Sequence, residues 1–220
     1  MENLALADFL RALASIENSI QQNKDYLCKL DSFIGDGDHG TTIARGFSRA
    51  LKKVREEGPE SISGLLKSIG FTLVSSMGGA AGPLFGSVFM GLADAAAGKD
   101  SIDLESLHAM FSASLEKVLK IGGAKAGDKT MIDALSPAVD SLKNSLEKGL
   151  GIEEAMANMS KAAKQGAAST KDMVARKGRS RYHGERSIGY QDAGATTMYL
   201  IIEAMHKSIN KGEGNEEANK

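Results

Sequence analysis

The chain carries one cysteine, three prolines and almost no charge imbalance, and each scarcity excludes something. A lone Cys28 cannot close an internal disulfide, so a disulfide-stapled secreted scaffold is excluded. Lys and Arg total 27 against 28 Asp and Glu, which leaves no global field to recruit nucleic acid or an anionic membrane. Any basic site must be local. The first residues, MENLALADFLRALASIENSI, lack the basic n-region and cleavage site of a signal peptide, and the expectation is a cytoplasmic protein. No internal repeat or linker divides the 220 residues, so one domain is expected over 1–210, followed by a charged, anchor-free tail over 211–220 that should fray.

Strand-like alternation is absent as well. Apolar residues recur at helical spacing instead, as in Phe9, Leu13, Ile16 and Ile20, or Ile43, Phe47, Leu51 and Val54. Further sets begin at Leu65, Leu84, Leu104 and Ile132; an Ala- and Met-rich set spans Met156 to Met173, and a last one Met198 to Ile209. About eight amphipathic helices with short connections predict an all-α fold, an antiparallel bundle or a closed barrel. Between Ser68 and Ala93 there is no charged side chain, a length that could span a bilayer. That run is broken by Gly78, Gly79, Gly82 and Pro83, so two buried helices joined by a glycine loop are expected, with no membrane span. Pro137 should kink its helix or mark its first turn, and Cys28 follows helical spacing as a core residue.

What the helices lack is gathered in four glycine-rich loops: DSFIGDGDHGTT, SSMGGAAGPLFG, KIGGAKAGDKTM and RKGRSRYHGERSIGYQDAGATT. If the helices run up and down, loops separated by two helices emerge at the same end. In the first loop Asp31, Asp36 and Asp38 offer hard oxygens suited to magnesium or calcium. An EF-hand is excluded, because Thr42, Phe47 and Arg49 stand where the twelfth-position glutamate would be needed. Magnesium usually completes its shell with phosphates, and Gly40, Thr41 and Thr42 open a helix whose N–H groups favour an anion. An ordinary N-cap explains the same residues, and both readings stay open. The second loop is no P-loop, since no Gly-Lys-Ser/Thr follows its glycines; small residues there suit either close ligand approach or close helix packing. The basic run containing Arg176, Lys177, Arg179, Arg181 and Arg186 is compatible with nucleic-acid binding, with an arginine closing over phosphates, or with a solvated face. His39 can contact a phosphate or hydrogen-bond an aspartate. No serine, cysteine or histidine arrangement suggests covalent catalysis.

Together, IGDGDHG followed by ARGF, then GGAAGPLFG, GDKTMIDAL and KGRSRYHGERSIGYQDAGA, resemble in order the nucleotide-binding L subunit of bacterial dihydroxyacetone kinase. The resemblance implies a closed antiparallel eight-helix barrel that holds ADP or ATP at one end through two magnesium ions. Asp31, Asp36 and Asp38 match the family's metal ligands. His39, Gly40, Thr41 and Thr42 match the first phosphate loop, Ala80 and Ala81 the second, and Gly122 and Met131 the adenine side. Arg179, with Asp192, Ala193 and Gly194, matches the nucleotide lid, although the family has proline at the position of Ala193. The implied activity is phosphoryl transfer to dihydroxyacetone held on a separate K subunit, with bound ADP rephosphorylated by a multiphosphoryl M subunit. The implied partners are therefore transient protein subunits, not nucleic acid or membrane. Two alternatives stand beside it: an ATP-dependent kinase subunit for another small ketose such as a tetrulose, and a non-enzymatic nucleotide-loaded module read by a transcriptional regulator.

Overall fold

The computed structural model describes residues 3–210, so the predicted tail over 211–220 lies outside the described residues. Eight α-helices account for most of them: α1 (Leu6–Ile34), α2 (His39–Glu57), α3 (Ile62–Ser76), α4 (Ala81–Ala95), α5 (Leu104–Gly122), α6 (Ile132–Glu147), α7 (Ile152–Ser169) and α8 (Ala193–Asn210). Two 3₁₀ segments, Thr170–Asp172 and Arg179–Ser187, lie in the connection from α7 to α8. The sequence shows no strand, yet Leu4–Ala5 (β1) pairs antiparallel with Ser101–Ile102 (β2). Two residues are too few to express a period of two. Leu4 and Ile102 are both buried, so this clip fastens the start of the chain to the α4–α5 connection.

Each helix packs against the next in sequence, and α8 returns against α1. The apolar sets read from the sequence face one continuous core, in which Phe47 and Phe111 are fully buried. Phe47 meets Phe89 edge-on, with ring centroids 5.8 Å apart. The uncharged run from Ser68 to Ala93 lies in α3 and α4, which pack on each other but leave Phe71 and Val74 of α3 exposed, and no described helix is long and apolar enough to cross a membrane. Hydroxyls in this region bond to backbone carbonyls: Ser63 Oγ donates to Ala93 O at 2.8 Å, and Ser114 Oγ to Val88 O at 2.8 Å. Burial there strands no polar group.

One local expectation is decided between its alternatives, and two change. Pro137 lies within α6, past its first turn, so the carbonyl of Asp133 loses its helical donor. Gly166 of α7 lies directly against that break: a Cβ there would come within 2.1 Å of Asp133 O and 2.9 Å of the Pro137 ring. Met173 falls beyond the end of α7, in extended backbone after the first 3₁₀ turn. Cys28 is only half buried, with its Sγ 3.6 Å from Thr41 Oγ1 on the outer side of the α1–α2 contact.

Helices α4 and α5 also cross closely: a Cβ on Gly91 would meet the backbone of Ser114 at 2.4 Å. Alanine ordinarily favours a helix over glycine by about 1 kcal/mol, but overpacking against backbone costs about 1–3 kcal/mol. Gly91→Ala should therefore lower the urea midpoint. Gly78→Ala, where added bulk meets nothing within 4 Å, should leave the midpoint nearly unchanged. Equal midpoints for the two variants would contradict this packing.

Candidate functional site

The α1–α2, α3–α4, α5–α6 and α7–α8 connections line one cavity of about 630 Å³. They are the four glycine-rich loops, and the volume lies within the range of small-molecule sites.

Asp31 lies in the last turn of α1, and one of its oxygens accepts from the backbone N–H of Asp38 at 3.1 Å and of His39 at 3.3 Å. It thus serves α2 as a cap borrowed from the preceding helix. Asp38 occupies the N-cap position but makes no side-chain cap bond, which leaves its carboxylate turned to the other two acids. Carboxylate oxygens of Asp31, Asp36 and Asp38 lie within 4.8 Å of one another. Three negative groups that close, two of them exposed, are repulsive without a cation, and an all-oxygen set fits magnesium or calcium. Of the two loop readings, the simple side-chain cap fails.

The other first-loop residues divide. His39 and Thr42 line the cavity; Gly40 and Thr41 do not. Gly40 is fixed by packing, since a Cβ there would lie 2.0 Å from Lys24 O on α1. Thr41 faces outward beside Cys28. The His39 ring bonds no aspartate: Nε2 lies 2.8 Å from Thr197 Oγ1 on α8. Burial lowers the pKa of His39, while Asp31, Asp38 and Asp36 pull in the opposite direction.

Ala80 and Ala81 start α4 without any side-chain cap, with Pro83 in its first turn, so the backbone at this helix start faces the cavity. Across from it, Gly122 ends α5 and Met131 precedes α6; a Cβ on Gly122 would approach Leu84 Cδ2 to 3.1 Å. With Ile34, Val118 and Ile132 these residues give the cavity an apolar lining.

The α7–α8 connection covers the carboxylate side. Arg179 pairs with Asp36 there, an exposed ion pair. At the base of this segment Asp192 N donates to Thr170 Oγ1 at 2.9 Å, and Asp192 Oδ2 caps α8 by accepting from Ala195 N at 2.7 Å. Gln191 Nε2 reaches Thr196 Oγ1 at 2.8 Å, so side-chain bonds hold the start of α8 with alanine, not proline, at 193. Asp192, Ala193 and Gly194 all line the cavity, and Gly194 abuts Met131. Of the basic run, Arg181 lies over the Tyr182 ring, 4.8 Å from its centroid.

Sequence reasoning missed Lys129 and Asp133. Lys129 is only 1% exposed, and its Nζ donates to the carbonyls of Thr170, Met173, Ser187 and Tyr190 at 2.5–3.1 Å. Asp133 shapes the turn in front of α6 by accepting from Gly127 N at 2.5 Å and Thr130 N at 2.7 Å. Both sit inside the GDKTMIDAL motif, but a lysine in a glycine-rich loop reads by default as solvated. The signal for its burial is tertiary.

A carboxylate cluster beside the uncapped start of α4, an apolar lining and a covering arginine have the chemistry to take a divalent cation and a phosphorylated ligand. The chain belongs to the family of the DAK2 domain, which matches residues 33–207. It is 44% identical over 181 residues to the PEP-dependent dihydroxyacetone kinase, ADP-binding subunit DhaL, of Escherichia coli (strain K12), covering 82% of this chain and 86% of that one. It is 41% identical over 196 residues to PEP-dependent dihydroxyacetone kinase 1, ADP-binding subunit DhaL, of Listeria innocua serovar 6a, covering 89% and 93%. The dihydroxyacetone kinase from C. freundii, in complex with AMP-PNP and Mg2+, shares the fold with a TM-score of 0.72 at 24% identity. The alignment covers 94% of this chain and 35% of that one, so this chain spans about a third of that kinase.

Loss of hydration, with Asp133 and Asp31 nearby, pushes the Asp192 carboxyl up to about 7 against the bonding of Ala195 and the charge of Lys129. Between pH about 4 and about 7 the folded chain then keeps a proton that the unfolded chain has released. This group's contribution to stability is complete below that window and is lost as pH rises through it, with a slope of at most about 1.4 kcal/mol per pH unit. His39 acts with the opposite sign: its contribution is lost as pH falls through its lowered value. Asp192→Asn keeps an acceptor for Ala195 and removes the proton, so denaturant midpoints of the nucleotide-free chain should fall less with rising pH in the variant than in the wild type. Parallel pH profiles would contradict the assignment.

Proposed function

We propose that this chain is the ADP- or ATP-binding subunit of a dihydroxyacetone kinase. In this reading it holds magnesium-nucleotide at the convergent loop end and presents a phosphoryl group to dihydroxyacetone carried by a separate K subunit; an M subunit then rephosphorylates the bound ADP. The observation that carries the proposal is the meeting of Asp31, Asp36 and Asp38 within 4.8 Å, inside a cavity covered by Arg179. Its likeness over most of its length to subunits named as ADP-binding supports the nucleotide.

The three aspartates would hold two magnesium ions, whose chemistry is to neutralise phosphate oxygens. The rest falls to this chain's own groups. The start of α4, with Ala80 and Ala81, presents backbone N–H groups to the phosphates, and His39 and Thr42 at the start of α2 line the same cavity. Gly122 and Met131 bound the adenine, and Asp192, Ala193 and Gly194 close the far side. Arg179 exchanges its exposed partner Asp36 for the transferred phosphoryl group, where a planar guanidinium stabilises spread negative charge. No general base and no sugar pocket belong to this arrangement, so activity requires the partner that holds the acceptor.

The reading takes residues 1–210 as one cytoplasmic domain. It also takes the eight helices as a closed antiparallel barrel, supported by the return of α8 to α1 and by the gathering of four alternate connections at one end. Asp36→Asn removes one metal-binding charge at an exposed position and should leave the helical circular dichroism intact. Phosphoryl transfer reconstituted with K and M subunits and phosphoenolpyruvate should fall by on the order of 100-fold or more. Undiminished transfer would remove the carboxylate cluster from the mechanism.

A further inference from the structure

Lys129 is the most deeply buried cation among the described residues, and it faces the backbone, not a carboxylate. Its ammonium reaches four carbonyls, of Thr170 (2.8 Å), Met173 (3.1 Å), Ser187 (2.7 Å) and Tyr190 (2.5 Å). Two of these precede the segment that carries Arg179 and two follow it. One side chain therefore closes both ends of a loop of about twenty residues, where chain entropy would otherwise let the ends part. Thr170 also lies at the C-terminal end of α7, where helix carbonyls point outward and a cation is favoured. The backbone of Lys129 itself has φ +60°, an unfavourable value for a side chain of its kind, which the Asp128 and Asp133 bonds on either side maintain.

The rest of the segment is held differently. Gly189 N donates to Lys171 O at 2.8 Å and Tyr190 stacks on Phe33 at 4.8 Å, both close to the Lys129 hub. Farther out, Arg179 and Tyr182 are exposed, and the Arg179–Asp36 pair is the solvent-screened tie to the carboxylates.

Building on the nucleotide reading above, we infer that Lys129 is a positioning residue: it fixes the base of the Arg179 segment so that the tip swings about a defined hinge and Arg179 returns to the same place over the phosphates. Lys129 lines the cavity but its donors are spent on the segment's own backbone, so it acts on the nucleotide through Arg179.

The test uses the full chain with Lys129→Met, which keeps the stem and removes the donors. Hydrogen exchange followed by mass spectrometry should show amides of 174–190 opening about tenfold faster or more, with α1 to α5 unchanged. Bound ADP should leave about tenfold faster, Lys129→Arg should restore most of its retention, and Lys129→Met should add nothing to release in an Arg179→Ala background. Unchanged exchange over 174–190, exchange raised equally in all helices, or release rates that multiply in the double variant would overturn the inference. If the wild type retains no ADP, the nucleotide reading fails, and the exchange pattern alone still decides whether Lys129 holds the segment.

Discussion

The mutual repulsion of Asp31, Asp36 and Asp38 is the constraint around which the molecule is arranged. Carboxylate oxygens within 4.8 Å of one another repel, and water, hydrogen bonds or a cation must offset that repulsion. The chain supplies part of that opposition itself. Asp31 spends one oxygen on the N–H groups that open α2, Arg179 covers Asp36, and the positive end of a helix lies beneath the group. What remains is a set of hard oxygen atoms that a divalent cation completes, and the cavity next to it has room for whatever that cation brings.

The helices serve this arrangement by being closely packed and unremarkable in chemistry. A core without stranded polar groups lets four loops carry strain, glycine and charge at one end. Small residues appear where backbones touch: Gly40 lets α2 lie on α1, Gly91 lets α4 lie on α5, and Gly166 fills the gap opened by Pro137. Glycines in the loops and glycines in the helices thus do different things, and only the structure separates them.

Much of the site could be read from the sequence because its chemistry is concentrated. Three aspartates in eight residues, an uncapped glycine loop and an arginine-rich connection are unusual in an otherwise amphipathic helical chain, and helical periodicity located every α-helix. What could not be read depends on partners far away in sequence. The bond from His39 to Thr197 joins the second helix to the eighth, and the burial of Lys129 depends on carbonyls 41 to 61 residues away. Met173 has a residue type that suits the pattern of α7, but the helix ends at Ser169, and the carbonyls of Thr170 and of Met173 itself turn toward Lys129. Gly40 shows the converse error: a glycine beside phosphate-loop residues invites a ligand, whereas contact with Lys24 already requires it.

What the protein carries after purification decides whether the loop end is a magnesium-nucleotide site. The chain would be purified without added nucleotide, dialysed and denatured, and the released nucleotide and magnesium quantified by chromatography and mass spectrometry. The account predicts ADP in near-equal proportion to chain, accompanied by magnesium. A folded chain that releases neither, and that takes up neither ADP nor ATP when magnesium is supplied, would contradict it.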